Sequence, residues 1–310
     1  MVALTIQVVR VLKGSLQSGE LMHGNWTAPT AAHFPAVTGS PTGVWFLKGS
    51  PGSWTILPAA NGDVPFPQVY LAVPDGALSA AYQISSTASV VDKIANEVAA
   101  ALAATNGQSP LVPMLQIGAL DISNSPVLQK AFMAFSASPV AALQSLALRG
   151  LIAGGNGQSL SQLAATPALQ SDPWLTSAVC NYRSADAGST SALGALASSG
   201  GPLAMRTCAA HALRSIHSPG TLAYLASILD SSTTDLQYQA VAGLASFANN
   251  LPIQSPTNTP SMEFLQSQGP TKYATEAVRQ NFPSKASFER QKDQYISFWK
   301  AWWAAHQAEF

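Results

Sequence analysis

The first part of the chain alternates between apolar and polar positions in short runs. In Thr5–Leu12, successive side chains would point to opposite sides of an extended segment. A return strand at Leu21–Trp26 would complete a hairpin. Three later runs are rich in β-branched and aromatic residues and follow glycine- and proline-containing turns; they are Val44–Leu47, Trp54–Leu57 and Val69–Val73. The pattern predicts five short strands and a small β-barrel-like module over residues 1–78.

From Ser89 onward the apolar period becomes that of a helix, and residues 79–250 are predicted to be helical. Ser89 is a suitable N-cap for a helix whose apolar face carries Val91, Ile94, Val98 and Leu102. A capping residue followed by proline then recurs, and proline at the first helical position is compatible with a helix start. The pairs are Ser125-Pro126, Ser138-Pro139, Thr166-Pro167, Asp172-Pro173, Gly201-Pro202 and Ser218-Pro219. They predict short helices, separated by glycine breaks at Gly154-Gly155, Gly188 and Gly200-Gly201.

Four stretches share one register within this helical region, each placed late in a predicted helix. They begin at Leu148, Tyr182, Leu213 and Leu244, at spacings of 34, 31 and 31 residues. A period of this size is typical of stacked helix pairs, because one pair cannot bury its apolar face alone. The helical region is therefore predicted to be a repeat structure with a large surface for contacts.

One unit of this region, Pro202–Asn250, resembles a HEAT repeat. The resemblance is carried by Arg206-x-x-Ala209-x-x-x-Leu213 and by the helix from Asp235 that reads Ala240-Val241-x-x-Leu244. It extends over residues 140–250 and departs from the family in lacking a regular ladder of aspartate and arginine. The resemblance implies an α-solenoid of the kind that serves as a scaffold, adaptor or assembly part.

The N-terminal strand pattern resembles OB- or netrin-like β modules of exported bacterial proteins. The matching residues are Val8–Gly14, Gly19-Glu20 and Gly43–Leu47. Together the two resemblances predict an α+β, multidomain protein in which a small β module is followed by a HEAT-like α-solenoid.

Residues 251–310 are predicted to form a proline-rich connection followed by a helix that starts near Ser284 or Ser287. This helix carries aromatic residues at helical spacing, namely Tyr295, Trp299, Trp302 and Trp303. One interpretation is a capping helix that seals the open end of the solenoid. A second is a docking helix for a partner, since Trp and Tyr dominate binding hot spots. A third, a helix that lies on a membrane surface, is disfavoured because the face has few lysines.

The charge content is low and balanced. Lysine plus arginine and aspartate plus glutamate each number 15, and charged residues make up 10% of the chain. With no field of one sign to steer nucleic acid or anionic lipid, neither is expected as a partner. No apolar run is long enough to span a membrane, so membrane insertion is not expected either. A weakly charged surface favours association and suits an extracellular or periplasmic protein whose signal peptide has been removed.

No arrangement of residues in the sequence suggests catalysis or metal binding. The histidines at 23, 33, 211, 217 and 306 lack metal-ligand spacing, and each is expected at the surface or its boundary. The run Gly154–Ser159 lacks the Gly-Lys pair of a phosphate loop and is expected to be a turn between repeats. The sequence therefore predicts a non-enzymatic protein without cofactor or metal.

The two cysteines, Cys180 and Cys208, are predicted to lie on equivalent helices of adjacent repeats. Packed helices are ~8–10 Å apart, whereas a disulfide needs Cα atoms within ~7 Å. Small neighbouring residues would allow a closer approach. Both a disulfide and a pair of buried thiols remain open at this point.

The expected function is that of an interaction or scaffold protein that binds other proteins through its helical-repeat surface. The alternative is a self-assembling structural subunit of an extracellular filament or surface layer, because head-to-tail contacts that do not close give filaments. A HEAT-like lyase acting on a bound chromophore is a more remote analogy that rests on fold alone.

Overall fold

The computed structural model describes two continuous stretches, residues 125–251 and 272–310. In the N-terminal part it describes residues 2–7, 14, 16, 19–26, 47–50, 54–56, 89, 92, 93, 95, 96 and 99. The chain divides into two units, Met1–Gly154 and Gly155–Phe310. The predicted domain boundary at residue 78 lies outside the described residues, and the boundary at residue 250 lies inside the second unit.

Four short strands are described in the first unit: β1 (Val2–Gln7), β2 (Leu21–Trp26), β3 (Leu47–Lys48) and β4 (Trp54–Ile56). Their order is β1-β2-β4-β3, with β1 antiparallel to β2 and β2 parallel to β4. Most other residues of the predicted β-barrel-like module, including the strands at Val44–Phe46 and Val69–Val73, lie outside the described residues. The module therefore stays a prediction.

Two helices close the first unit, α1 (Pro126–Phe135) and α2 (Ala141–Ala153), and they pack against each other. A Cβ atom added at Gly150 would lie 2.1 Å from the ring of Phe132, so this approach requires glycine. Upstream, the amide of Asp92 donates to Ser89 Oγ at 3.1 Å, so Ser89 does act as a helix cap.

The second unit consists of helices joined by short connections. Six helices come first: α3 (Gly157–Ala164), α4 (Pro173–Cys180), α5 (Ala187–Ser198), α6 (Leu203–Ile216), α7 (Pro219–Ile228) and α8 (Thr234–Ala248). A 3-10 turn, Pro167–Leu169, precedes α4. After residues 252–271 come α9 (Glu276–Gln280), α10 (Lys285–Arg290), α11 (Lys292–His306) and a 3-10 turn at Gln307–Glu309.

Helices α3 to α8 alternate between two layers. In the odd layer α3 packs on α5 and α5 on α7, and in the even layer α4 packs on α6 and α6 on α8. Contacts of α6 with α5 and α7, and of α7 with α8, join the layers. Within each layer the helices begin about 30 residues apart, a spacing in the range of helical repeats.

The helix starts follow the proline signal only in part. Proline is the first residue of α1, α4, α7 and the 3-10 turn. After Pro139 the helix begins two residues later, because Val140 is the N-cap. After Pro202 it begins one residue later, because the proline itself is the N-cap. Gly188 is not a break but lies in the first turn of α5, where the Asp186 carboxylate caps the helix.

One of the four register stretches is not helical. Tyr182–Ala185 follows the end of α4 at Cys180 and lies in the connection to α5. The stretches that begin at Leu148, Leu213 and Leu244 lie late in α2, α6 and α8, as predicted. The Tyr182 hydroxyl instead joins two helix starts, by donating to Gly155 O at 2.9 Å and bonding Ser189 Oγ at 2.5 Å.

Helix α8 is the centre of the second unit. Twelve of its 15 residues are buried, because α6, α7, α9, α10 and α11 all contact it. The predicted C-terminal helix is in fact two helices. Ser284 caps α10 by accepting from the amide of Ser287 at 3.1 Å, and the break at Gln291 separates α10 from α11.

Candidate functional site

The predicted aromatic stripe lies on α11, and most of it belongs to the core. Tyr295, Trp299 and Trp302 are buried, and Trp299 has no exposed surface. The indole Nε1 of Trp299 donates to Asn281 O at 2.8 Å. Helix α11 packs on α7 and α8, which is the contact expected of a capping helix. Of the four predicted residues, Trp303 alone is half-buried and accessible to a partner. The role of the four residues in partner binding stays a prediction.

A cluster of aromatic rings, here the C-terminal aromatic cluster, surrounds the end of α11. Trp302 makes edge contacts with Tyr273 at 5.8 Å, and Trp303 stacks on Phe310 at 6.1 Å between ring centroids. His306 lies 4.9 Å from Trp302, and Phe310 lies 5.4 Å from Phe247. The cluster thus links the end of α8, the start of residues 272–310 and the last residue of the chain.

Glu309 makes polar contacts at the edge of this cluster. Its carboxylate contacts His306 Nδ1 at 2.7 Å, accepts from the Tyr273 hydroxyl at 3.1 Å and forms an ion pair with Lys272. These partners, His306 first and Lys272 next, lower the pKa of Glu309 from 4.5 to about 2. The carboxylate therefore stays charged at any pH near neutrality and holds the last turn to Lys272 and Tyr273.

The two cysteines form a disulfide between α4 and α6, with Cα atoms 4.3 Å apart. This distance is within the ~7 Å that a disulfide requires. Cys180 is the last residue of α4, and both cysteines are partly exposed. The bond closes a loop with a sequence separation of 28 residues, which contains all of α5.

A buried polar cluster lies between α6 and α8, and the sequence did not indicate it. Arg214 is 1% exposed, and its Nη1 donates to Gln239 Oε1 at 3.1 Å. His211 is 7% exposed, so the prediction of a surface or boundary position is wrong for this histidine. Its Nε2 lies 3.5 Å from Ser215 Oγ, whereas its Nδ1 has no hydrogen-bond partner among the described residues.

Burial and positive charge act together on His211. Desolvation, followed by the nearby guanidinium groups of Arg214 and Arg183, lowers the pKa of His211 from 6.5 to about 4. The imidazole is therefore neutral near pH 7 and would resist protonation in mild acid. Arg183 is exposed and donates through Nη1 to the carbonyl oxygens of Cys180 and Tyr182, at 2.8 and 2.7 Å.

His217 has a different role from His211. It ends α6 in the left-handed conformation with φ of 53°. Its Nε2 lies 3.2 Å from Ser246 O on α8, and its ring packs against Phe247. The position thus joins the end of α6 to the end of α8.

Two large apolar side chains stand exposed in the even layer. Trp174 is 44% exposed and Leu203 is 46% exposed. Each lies in the first turn of its helix, α4 or α6, and these are the two helices joined by the disulfide. A proline precedes each of them in the sequence, which places both at helix starts. Because the two helices pack on each other, this pair of exposed apolar side chains is a candidate contact surface.

The described residues contain no group of three or more His, Cys, Asp and Glu side chains that could hold a metal ion. None of the described helices is long and apolar enough to cross a membrane. Comparisons with known protein families, curated proteins and solved structures found no match to the chain. Function therefore has to be argued from the residues themselves.

Proposed function

We propose that the chain is a non-enzymatic interaction protein in which α3–α8 form a HEAT-like stack that binds other proteins through its surface. The observation that carries the proposal is the alternation of these helices between two layers, with helix starts recurring about 30 residues apart. Stacks of this kind present extended surfaces because each pair contacts only its neighbours. An N-terminal OB- or netrin-like module is part of the same proposal.

The contact surface we propose is centred on Trp174 and Leu203. Both are exposed, both are large and apolar, and they belong to neighbouring helices of one layer. Helix α4 carries no charged residue, and neither does α6 before Arg206. The partner that suits such a surface is another protein with an apolar patch, because the hydrophobic effect is non-directional and needs no complementary charge.

The disulfide supports the proposal that the protein acts outside the cytoplasm, in an extracellular or periplasmic setting. Disulfides form and persist in oxidising environments and are rare in reducing ones. Cys180 and Cys208 are the two cysteines of the chain, and they are bonded to each other.

The proposal assigns the buried polar side chains to packing. Gln237 donates to Leu229 O at 3.2 Å, and Gln170 donates to Leu163 O at 3.3 Å. Both carbonyl groups lie at or near the end of a helix, where the usual amide four residues on is missing; the Leu163 carbonyl also accepts from the amide of Thr166. Such bonds stabilise the connections between helices.

The test compares capture of partners by the full-length chain and two variants. The first variant is Trp174→Ser with Leu203→Ser, and the matched control is Ala195→Ser with Ala223→Ser, at exposed positions of the odd layer. We expect cross-linking in extracellular and periplasmic fractions to recover the same partner with the wild type and the control, and not with the first variant. Equal recovery with all three would exclude this surface, and recovery with none would contradict the proposal.

Self-assembly is the second candidate, and the odd layer favours it. Helices α3, α5 and α7 carry no charged residue, so copies of the chain would approach without electrostatic repulsion. Light scattering over a concentration series, with negative-stain images, tests it. A mass that stays near 32.2 kDa would exclude assembly, whereas a growing mass with regular fibres would establish it.

A further inference from the structure

The disulfide joins two helices that depend on it to different degrees. Helix α4 has eight residues, of which only Leu175 and Val179 are buried. Helix α6 has 14 residues with eight buried, and it packs against α5, α7 and α8 as well as α4. Helices as short as α4 are unstable on their own in water, so α4 depends on its attachment to α6.

The hydrogen bonds at α4 fix the helix without attaching it to α6. The Asp172 carboxylate accepts from the amides of Trp174 and Leu175, at 2.7 and 3.2 Å. Thr176 Oγ1 donates to Asp172 O at 2.9 Å. These bonds are local to α4, and the bond from Cys180 to Cys208 is its covalent link to α6.

We propose that the Cys180–Cys208 disulfide is a redox-sensitive staple, and that its reduction releases α4 from α6 while α5 to α8 stay folded. The reductant is a dithiol, which reaches the sulfur atoms because both cysteines are partly exposed. One thiolate of the dithiol attacks the sulfur of one protein cysteine and displaces the sulfur of the other cysteine as a thiolate. The second thiolate then resolves the mixed disulfide, so that the protein gains two electrons and two protons and the dithiol becomes a disulfide.

Hydrogen exchange of the full chain, measured by mass spectrometry before and after treatment with dithiothreitol, tests this inference. We expect the amides of α4 to exchange at least tenfold faster after reduction. Helix α5 is the internal control, because it lies inside the disulfide loop but is held by α3, α6 and α7. Its exchange, and that of α6, should accelerate at least tenfold less than that of α4, because these helices stay packed after reduction. Alkylation of the free thiols would verify that reduction is complete.

A variant without the disulfide separates the effect of the bond from that of the reagent. Cys180→Ala with Cys208→Ala should show the fast exchange of α4 without dithiothreitol and should not respond to it. Unchanged protection of α4 after complete reduction would overturn the inference. So would an equal loss of protection in α4, α5 and α6, since that pattern means that the bond stabilises the unit as a whole.

Discussion

The even layer is completed at its two ends by helices of very different kinds. At the C-terminal end, α11 has 15 residues and buries Tyr295, Ile296, Trp299 and Trp302 against α7 and α8. At the N-terminal end of the layer, α4 has eight residues and buries Leu175 and Val179. Only α4 carries a disulfide to its neighbour.

The two end helices, α11 and α4, differ in the apolar area that their side chains bury. An aromatic side chain buries ~150–250 Å², at ~25 cal/mol for each Å² of apolar surface. Together the three such side chains on α11 contribute more than the two aliphatic side chains on α4, which contribute ~1.5–3 kcal/mol each. Helix α11 is thus held by packing, whereas α4 has fewer buried side chains and carries a disulfide in addition.

The largest effect is expected where the aromatic end is broken. Trp299→Ala should lower the free energy of unfolding by about 3–5 kcal/mol, because it removes a fully buried indole and leaves a cavity. It also leaves Asn281 O without its donor. Urea denaturation followed by circular dichroism would measure the loss.

Trp303→Ala is the matched control for Trp299→Ala on the same helix. Because Trp303 is half-buried and packs on the exposed ring of Phe310, its removal should cost less than half as much. Equal costs for the two substitutions would contradict the description of α11 as a helix held by its inner face.

The next effect concerns the covalent end. Replacing both cysteines by alanine should lower the free energy of unfolding by about 3–4 kcal/mol, the loop-closure value for a separation of 28 residues. Urea denaturation of the variant would test this, compared with the wild type when its disulfide is intact and after reduction with dithiothreitol. Substitution of Cys180 alone should cost as much as the double substitution, since either one breaks the bond. If both variants lost much less than the predicted free energy, packing would be enough to hold α4.

Local signals predicted the helices far better than they predicted the roles of individual side chains. The starts at Pro126, Pro173 and Pro219 could be predicted because proline at the first helical position acts within one turn. The aromatic stripe could be assigned to a helix, but its burial depends on α8, about 50 residues earlier in the chain. The Cys180–Cys208 bond remained open because helix spacing depends on residues at the contact, which a sequence does not place.

The buried polar cluster shows the same limit. His211 and Gln239 are 28 positions apart in the chain, and only the packing of α6 on α8 brings them together with Arg214. No spacing rule connects these residue types. The exposed pair Trp174 and Leu203 was missed for a related reason: both look like core residues of an apolar helix until the layer has been built.

A smaller effect is expected inside the stack, midway between its two ends. His211 has its pKa lowered from 6.5 to about 4 in the folded protein, so the unfolded chain binds a proton more readily. Stability should therefore be complete above pH 6.5 and fall as the pH decreases toward 4, by on the order of 1–3 kcal/mol. Denaturation at several pH values would show the slope.

The variant His211→Gln should flatten this pH dependence, because glutamine does not titrate. The matched control is His217→Gln, in the turn after the same helix, which should leave the dependence in place. If His211→Gln kept the full dependence of the free energy of unfolding on pH, the acid sensitivity would belong to groups other than His211.

The smallest effect lies in the helix enclosed by the disulfide loop. Asp186 caps α5 by accepting from the amide of Ser189 at 2.8 Å, and hydrogen bonds from Ser189 lower the pKa of its carboxyl group. Asp186→Ala should cost about 1 kcal/mol, as loss of an N-cap usually does. The cost should be present above the ordinary pKa of aspartate and vanish as the wild-type carboxylate is protonated in acid. Asp230→Ala, which breaks an exposed pair with Lys300, should have no measurable effect. An equal cost for both would mean that surface charge, and not capping, stabilises α5. The hydrogen exchange of α5, the internal control for release of α4, would then depend on ionic strength.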